Sequence, residues 1–138
     1  MKPLPLSLAI FLAALSGHVV ASPDVYIYFP SLAKGVLSGD ARAFRQVLAQ
    51  AKATPSGERL EELAKLASRF VTLSPMEFLK GQKESPACFG VAFMGSKYVD
   101  RPDAKNLERE SRRKALEAVN EPSLALAKKL CLAKLAGS

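Results

Sequence analysis

The sequence predicts an all-α domain, an irregular bundle or a short stack of antiparallel helix pairs, held by one disulfide. Three observations predict it. Apolar residues recur at helical spacing, with little sustained period-2 alternation. Prolines, serines and glycines fall between the periodic stretches, where they start and stop helices. The two cysteines, Cys88 and Cys131, follow an export-type start, and an even cysteine count in an exported chain reads as a disulfide.

The start of the chain sets this context. Lys2 supplies a positive segment, "LSLAIFLAAL" at 6–15 an apolar one, and Val19 with Ala21 a small-residue cleavage site, so residues 1–21 read as a signal peptide cut before Ser22. The apolar run is half the roughly 20 residues a membrane span needs, and Ser16, Gly17 and His18 interrupt its end. Cleavage leaves residues 22–138 as a single helical domain, periplasmic or secreted, with no transmembrane segment. Its net charge falls from +7 to +6 as Lys2 leaves. Closing the Cys88–Cys131 loop removes about 4 kcal/mol of chain entropy from the unfolded state in the loop-closure model.

"DVYIYF" at 24–29 has strand-like composition, but it also begins a helix through "PSLAKGVL" if Ile27, Leu32, Val36 and Leu37 share a face and Pro30 takes an early turn. The helix is the expectation. Ser38 or Asp40 caps the next helix, in which Phe44, Val47, Leu48 and Ala51 recur at i, i+3, i+4 and i+7 up to about Lys52. "TPSGE" ends it. Ser56 caps a third helix with Leu60, Leu63, Leu66, Ala67, Phe70 and Val71 as its stripe, and with Glu58, Glu61 and Glu62 where the helix dipole favours acids. Ser74, Pro75 and Glu77 make a capping box for a short fourth helix.

Ser85 and Pro86 open a further helix that carries Cys88 inward, and "GSKYVDRPDA" is a loop. Asp103 caps "AKNLERESRRKALEAVN", with Leu107, Ala115, Leu116 and Val119 facing in and Arg109, Arg112, Arg113 and Lys114 facing mostly out. The last helix places Leu124, Ala127, Leu130 and Cys131 on one stripe, as a core-facing disulfide requires.

A longer helix, a break with proline and a second helix occur at 58–82 and again at 104–135, and Pro75 and Pro122 stand forty-seven residues apart. Over roughly residues 24–135 this pattern resembles HEAT-like helix pairs. The wider arrangement, a small exported helical protein with one cysteine pair, is similar to bacterial envelope proteins, among them immunity proteins that neutralise secreted toxins. That resemblance implies binding and carries no functional residue.

The only histidine, His18, leaves with the signal, so the mature domain has no imidazole for a Ser-His or Cys-His nucleophile or for a metal. No glycine-rich phosphate loop is present. No catalytic residue, metal or cofactor is expected. Carboxylates remain: Glu58, Glu61 and Glu62 are the densest cluster and could supply the acid pair of a glycoside hydrolase, but the expectation is a solvated helix start, where the helix dipole favours acids. The run "ERESRRKALE" offers Arg109, Arg112 and Arg113, with Lys105, as a patch for an anionic partner, although Glu108, Glu110 and Glu117 are interspersed as on any soluble helix. Tyr26 and Tyr28 form an aromatic anchor for a partner or a cover for the end of the stack, and Tyr98 tips a polar loop. The expected role is a non-catalytic protein-interaction domain, inhibitor or immunity-like. The alternatives are an envelope hydrolase using carboxylates and an accessory protein binding anionic envelope polymer. Nucleic acid is not an expected partner.

Overall fold

A computed structural model describes residues 25–84 and 87–138, so the expected signal segment, 1–21, lies outside the described residues. Among those residues the chain is all-helical: α1 Pro30–Leu37, α2 Ala41–Ala53, α3 Glu58–Leu73, α4 Pro75–Gln82, α5 Pro102–Glu117 and α6 Ala125–Ala136, with 3-10 turns at Ser96–Tyr98 and Pro122–Leu124. None of these helices is long and apolar enough to cross a membrane.

The helices pair in chain order and the pairs stack. α1 packs on α2, α3 on α4 and α5 on α6; α1 also meets α3, which meets α5, while α2 meets α4, which meets α6. The first and third pairs share no comparable contact. Each layer therefore rests on its neighbours, as in a short solenoid. One core runs through all three layers, from Ala33 and Val36 to Cys131 and Leu135. At its centre Phe44 stacks on Phe70 at 4.4 Å and lies 5.4 Å from Phe78, so one aromatic cluster joins α2, α3 and α4.

The cysteines form the expected disulfide, Cys88–Cys131, with Cα atoms 5.3 Å apart. Asp40 caps α2 by accepting the Arg42 amide at 2.8 Å. Other boundaries differ from the sequence reading. α1 begins at Pro30 and Ile27 is exposed, because the residue before a proline is pushed out of the helical region and Phe29 sits at φ −130°, ψ 54°. Gly57, at φ +94°, precedes α3 in place of Ser56. Ser74 makes no side-chain cap; its amide closes α3 on the Phe70 carbonyl and its carbonyl opens α4 on the Phe78 amide. Glu77 pairs with Lys80 instead.

The expected helix at 85–86 begins outside the described residues, and 87–95 is irregular, with Cys88 at φ +46° and Gly90 at φ +86°. α5 starts on Pro102, one residue before Asp103. Its faces are also rotated from expectation: Leu107 is 73% exposed, while Arg112, expected outward, is only 3% exposed. Leu124 in the 3-10 turn and Cys131 and Leu135 on α6 are buried, and Leu130 faces out.

Candidate functional site: a cationic cleft under a tethered loop

Residues 87–98 form a loop with an unusual number of fixings. Gln82 brackets Phe89, its Nε2 donating to the Phe89 carbonyl at 2.8 Å and its Oε1 accepting the Phe89 amide at 3.1 Å. The disulfide ties Cys88 to α6, and Lys134 Nζ donates to the Ala87 carbonyl at 2.5 Å. Gly90 rests on α3 so closely that an added Cβ would stand 2.4 Å from that of Ala67. From the other side Arg112 Nη1 reaches the carbonyls of Val91 at 2.9 Å and Phe93 at 2.6 Å, while its Nε donates to Glu108 at 3.0 Å. Four helices, α6 among them through a covalent bond, thus hold a segment with almost no secondary structure of its own. Buried carbonyls require such partners, and a guanidinium supplies several in one plane.

Beyond Phe93 the loop becomes the lip of a cleft. Lys65, Ser68 and Arg69 of α3, Glu108 and Arg112 of α5, and residues 93–98 enclose a cavity of about 50 Å³. Four cations and one carboxylate line it, and that carboxylate is engaged by Arg112 Nε. Lys97 lies over the Tyr98 ring, 5.2 Å from its centroid. Burial, reinforced by the nearby Glu108 charge, holds the Tyr98 phenol above its ordinary range, so it stays a neutral hydrogen-bonding group at neutral pH.

A second hollow of about 310 Å³ continues from the first, sharing Lys65, Phe93, Gly95 and Ser96, and ends on Val25, Ile27, Tyr28, Glu58, Glu61 and Glu62. The groove is therefore basic at one end and acidic at the other. The acids at its far end are largely committed. Glu62, only 6% exposed, accepts the amides of Ile27 at 2.5 Å, Tyr28 at 2.9 Å and Phe29 at 2.7 Å. Glu58 accepts the Tyr28 hydroxyl at 2.5 Å, and this bond raises the Tyr28 pKa above its usual value. The expectation of a solvated acidic helix start thus fails at Glu62, which replaces the missing helical partners of the segment before Pro30.

The residues singled out in the sequence are dispersed. Tyr98 and Arg112 line the cleft. Tyr28 lines the adjoining hollow, and Tyr26 packs against the core beneath Lys65, whose Nζ lies 5.7 Å from its ring centroid. Arg109 turns instead to the chain end, donating to the Ser138 carbonyl at 2.9 Å and to Asn106 at 2.7 Å. Arg113 pairs with Glu110 and, at 2.6 Å, with Glu117. Lys105 has no ion pair among the described residues. The basic run is thus divided: Arg112 supports the loop, while Arg109 and Arg113 line a different hollow, against Leu132, Leu135 and Ala136 of α6. Lys65, Ser68, Arg69, Phe93 and Lys97 carry no local motif; only the fold assembles them. Among the described residues no three His, Cys, Asp or Glu side chains are placed to hold a metal ion. Compared with protein-family models, with curated proteins and with solved structures, the chain matches none.

Proposed function

We propose that this chain is an exported, non-catalytic protein-interaction module of the inhibitor or immunity type, which recognises its partner through the groove formed by α3, residues 93–98 and α5. The observation that carries the reading is the tethering of the loop. A surface segment fixed by a disulfide, a buried guanidinium, a bracketing glutamine and a close glycine contact loses little freedom on binding, and pre-organisation of that kind lowers the cost of recognition. The disulfide supports an oxidising, periplasmic or secreted setting. A carboxylate hydrolase draws less support, since Glu62 and Glu58 are occupied in holding residues 27–29.

The test immobilises the oxidised protein and its Lys97→Glu variant and challenges both with envelope and culture extracts at low and high salt. One protein retained stoichiometrically at high salt by the parent, and lost by the variant, is the expected result. Retention of many anionic species at low salt alone would replace this reading with binding to anionic envelope polymer, because exposed attractions are screened by salt.

A further inference from the structure

The cleft carries a second feature that the tethering does not use. Arg112 is only 3% exposed, and its Nε and Nη1 are occupied by Glu108 and by two carbonyls of the loop. Its Nη2 has no protein partner among the described residues and is not enclosed by protein, so its donors open into the cleft that Arg112 lines. A buried guanidinium normally has its donors satisfied, and one left open toward a cavity is a prepared place for an acceptor. The surroundings select the acceptor's charge. Lys65, Arg69 and Lys97 stand around the same cavity, and the one carboxylate there, Glu108, already serves Arg112 Nε.

We propose that this cleft binds a single oxyanion, a carboxylate or phosphate group, with Arg112 Nη2 as its buried donor and Lys65, Arg69 and Lys97 as its rim. The inference rests on the reading of the groove as the recognition surface and names the chemical group recognised there. The size agrees, since a cavity of about 50 Å³ suits one such group. The chemistry agrees as well, since a guanidinium presents paired donors to planar and tetrahedral oxyanions alike. Glu108 and the Tyr98 hydroxyl border the site, so an incoming group meets one negative neighbour against four positive ones.

The experiment titrates sodium phosphate and, separately, sodium acetate into the isotopically labelled, oxidised protein at constant ionic strength, following backbone amides and arginine Nε–H resonances. Saturable shifts confined to residues 65–69, 93–98 and the Arg112 side chain are expected with at least one of the two, and the one that saturates identifies the group. Because Arg112 also supports the loop, the variants are Arg69→Gln and Lys97→Gln, which leave that support intact; each is expected to weaken the saturating titration by about two- to fivefold. Non-saturating shifts with both salts, or shifts spread equally over Arg109, Arg113 and the other basic side chains, would overturn the proposal, as would unchanged affinity in both variants. Saturable binding by a protein that captures no partner would leave the oxyanion site standing and remove the interaction reading; capture sensitive to Lys97, with no saturable ion binding, would do the reverse.

Discussion

Glu62 shows how much a single buried carboxylate can organise. Pro30 prevents the preceding segment from continuing α1 backward, which leaves three consecutive amides, those of Ile27, Tyr28 and Phe29, without helical acceptors. Two oxygens of one charged side chain accept all three. Hydrogen bonds to a charged group are worth more than neutral ones, so Glu62→Ala is expected to lower stability by about 2 kcal/mol and Glu62→Gln, which keeps one acceptor oxygen, by roughly half that. Urea denaturation with an unchanged m-value checks both; an Ala variant as stable as the parent would show that water serves those amides equally well. The tyrosines give a pH prediction. Tyr98 is raised chiefly by burial and Tyr28 chiefly by its bond to Glu58, so in both the folded state favours the protonated phenol. The unfolded chain releases these protons first as pH rises past 10.0, and the contribution to stability, complete below that pH, is lost as pH climbs through the folded values. Phenolate absorbance during an alkaline titration should show two tyrosines titrating late and together with loss of helix.

At the scale of elements, the loop 87–98 depends on one glycine more than on any side chain that faces the cleft. Gly90 combines φ +86° with a contact in which a Cβ would meet that of Ala67 at 2.4 Å and backbone of α3 at 3.2 Å. Gly57 has a similar φ of +94° but open space around it. Gly90→Ala is therefore expected to cost about 3 kcal/mol or more, from strain plus overpacking, and Gly57→Ala about 1 kcal/mol, from strain alone. Matched thermal melts separate the two, and near-equal costs would mean that the loop yields easily. The same elements show what could be read in advance. α2 and α3 were legible because Phe44, Val47 and Leu48, and then Leu63, Leu66, Phe70 and Val71, repeat at clean helical spacing and are all buried. Arg112 and Glu62 were misjudged by charge, although their positions carried a signal: each stands four residues before a buried leucine, Leu116 and Leu66, and so on the inward stripe. Leu107 was misjudged by hydrophobicity, since nine residues before Leu116 is about two and a half turns and places it on the opposite face. The cleft itself was not legible, because its walls come from α3, the loop and α5, separated along the chain and joined only by packing.

The whole molecule is a three-layer stack in which cohesion passes from pair to pair. α3 and α4 touch both neighbours, whereas the helices that α6 meets among the described residues are α4, α5 and the adjoining 3-10 turn. Its outward face carries Leu126 at 70% and Leu130 at 44% exposure, so burial holds this terminal helix less firmly than the central ones. The disulfide stands at this weak point. It joins the last helix to the loop after α4, and that loop to the cleft, across a separation of 43 residues. In the loop-closure model such a link contributes about 4 kcal/mol by restricting the unfolded chain. In a stack of nearest-neighbour layers the loss of that link is not shared evenly. Cys88→Ala with Cys131→Ala should therefore release α6 and the 87–98 loop first, while α1 to α4 keep their Phe44, Phe70 and Phe78 core. Native-state hydrogen exchange checks this: amides of Leu132 and Leu135 are expected to lose protection by several orders of magnitude more than those of Leu66, Phe70 and Phe78. A uniform loss across all six helices would instead mean that the three layers unfold as one unit, and that the disulfide stabilises the domain without particular regard to the cleft it adjoins.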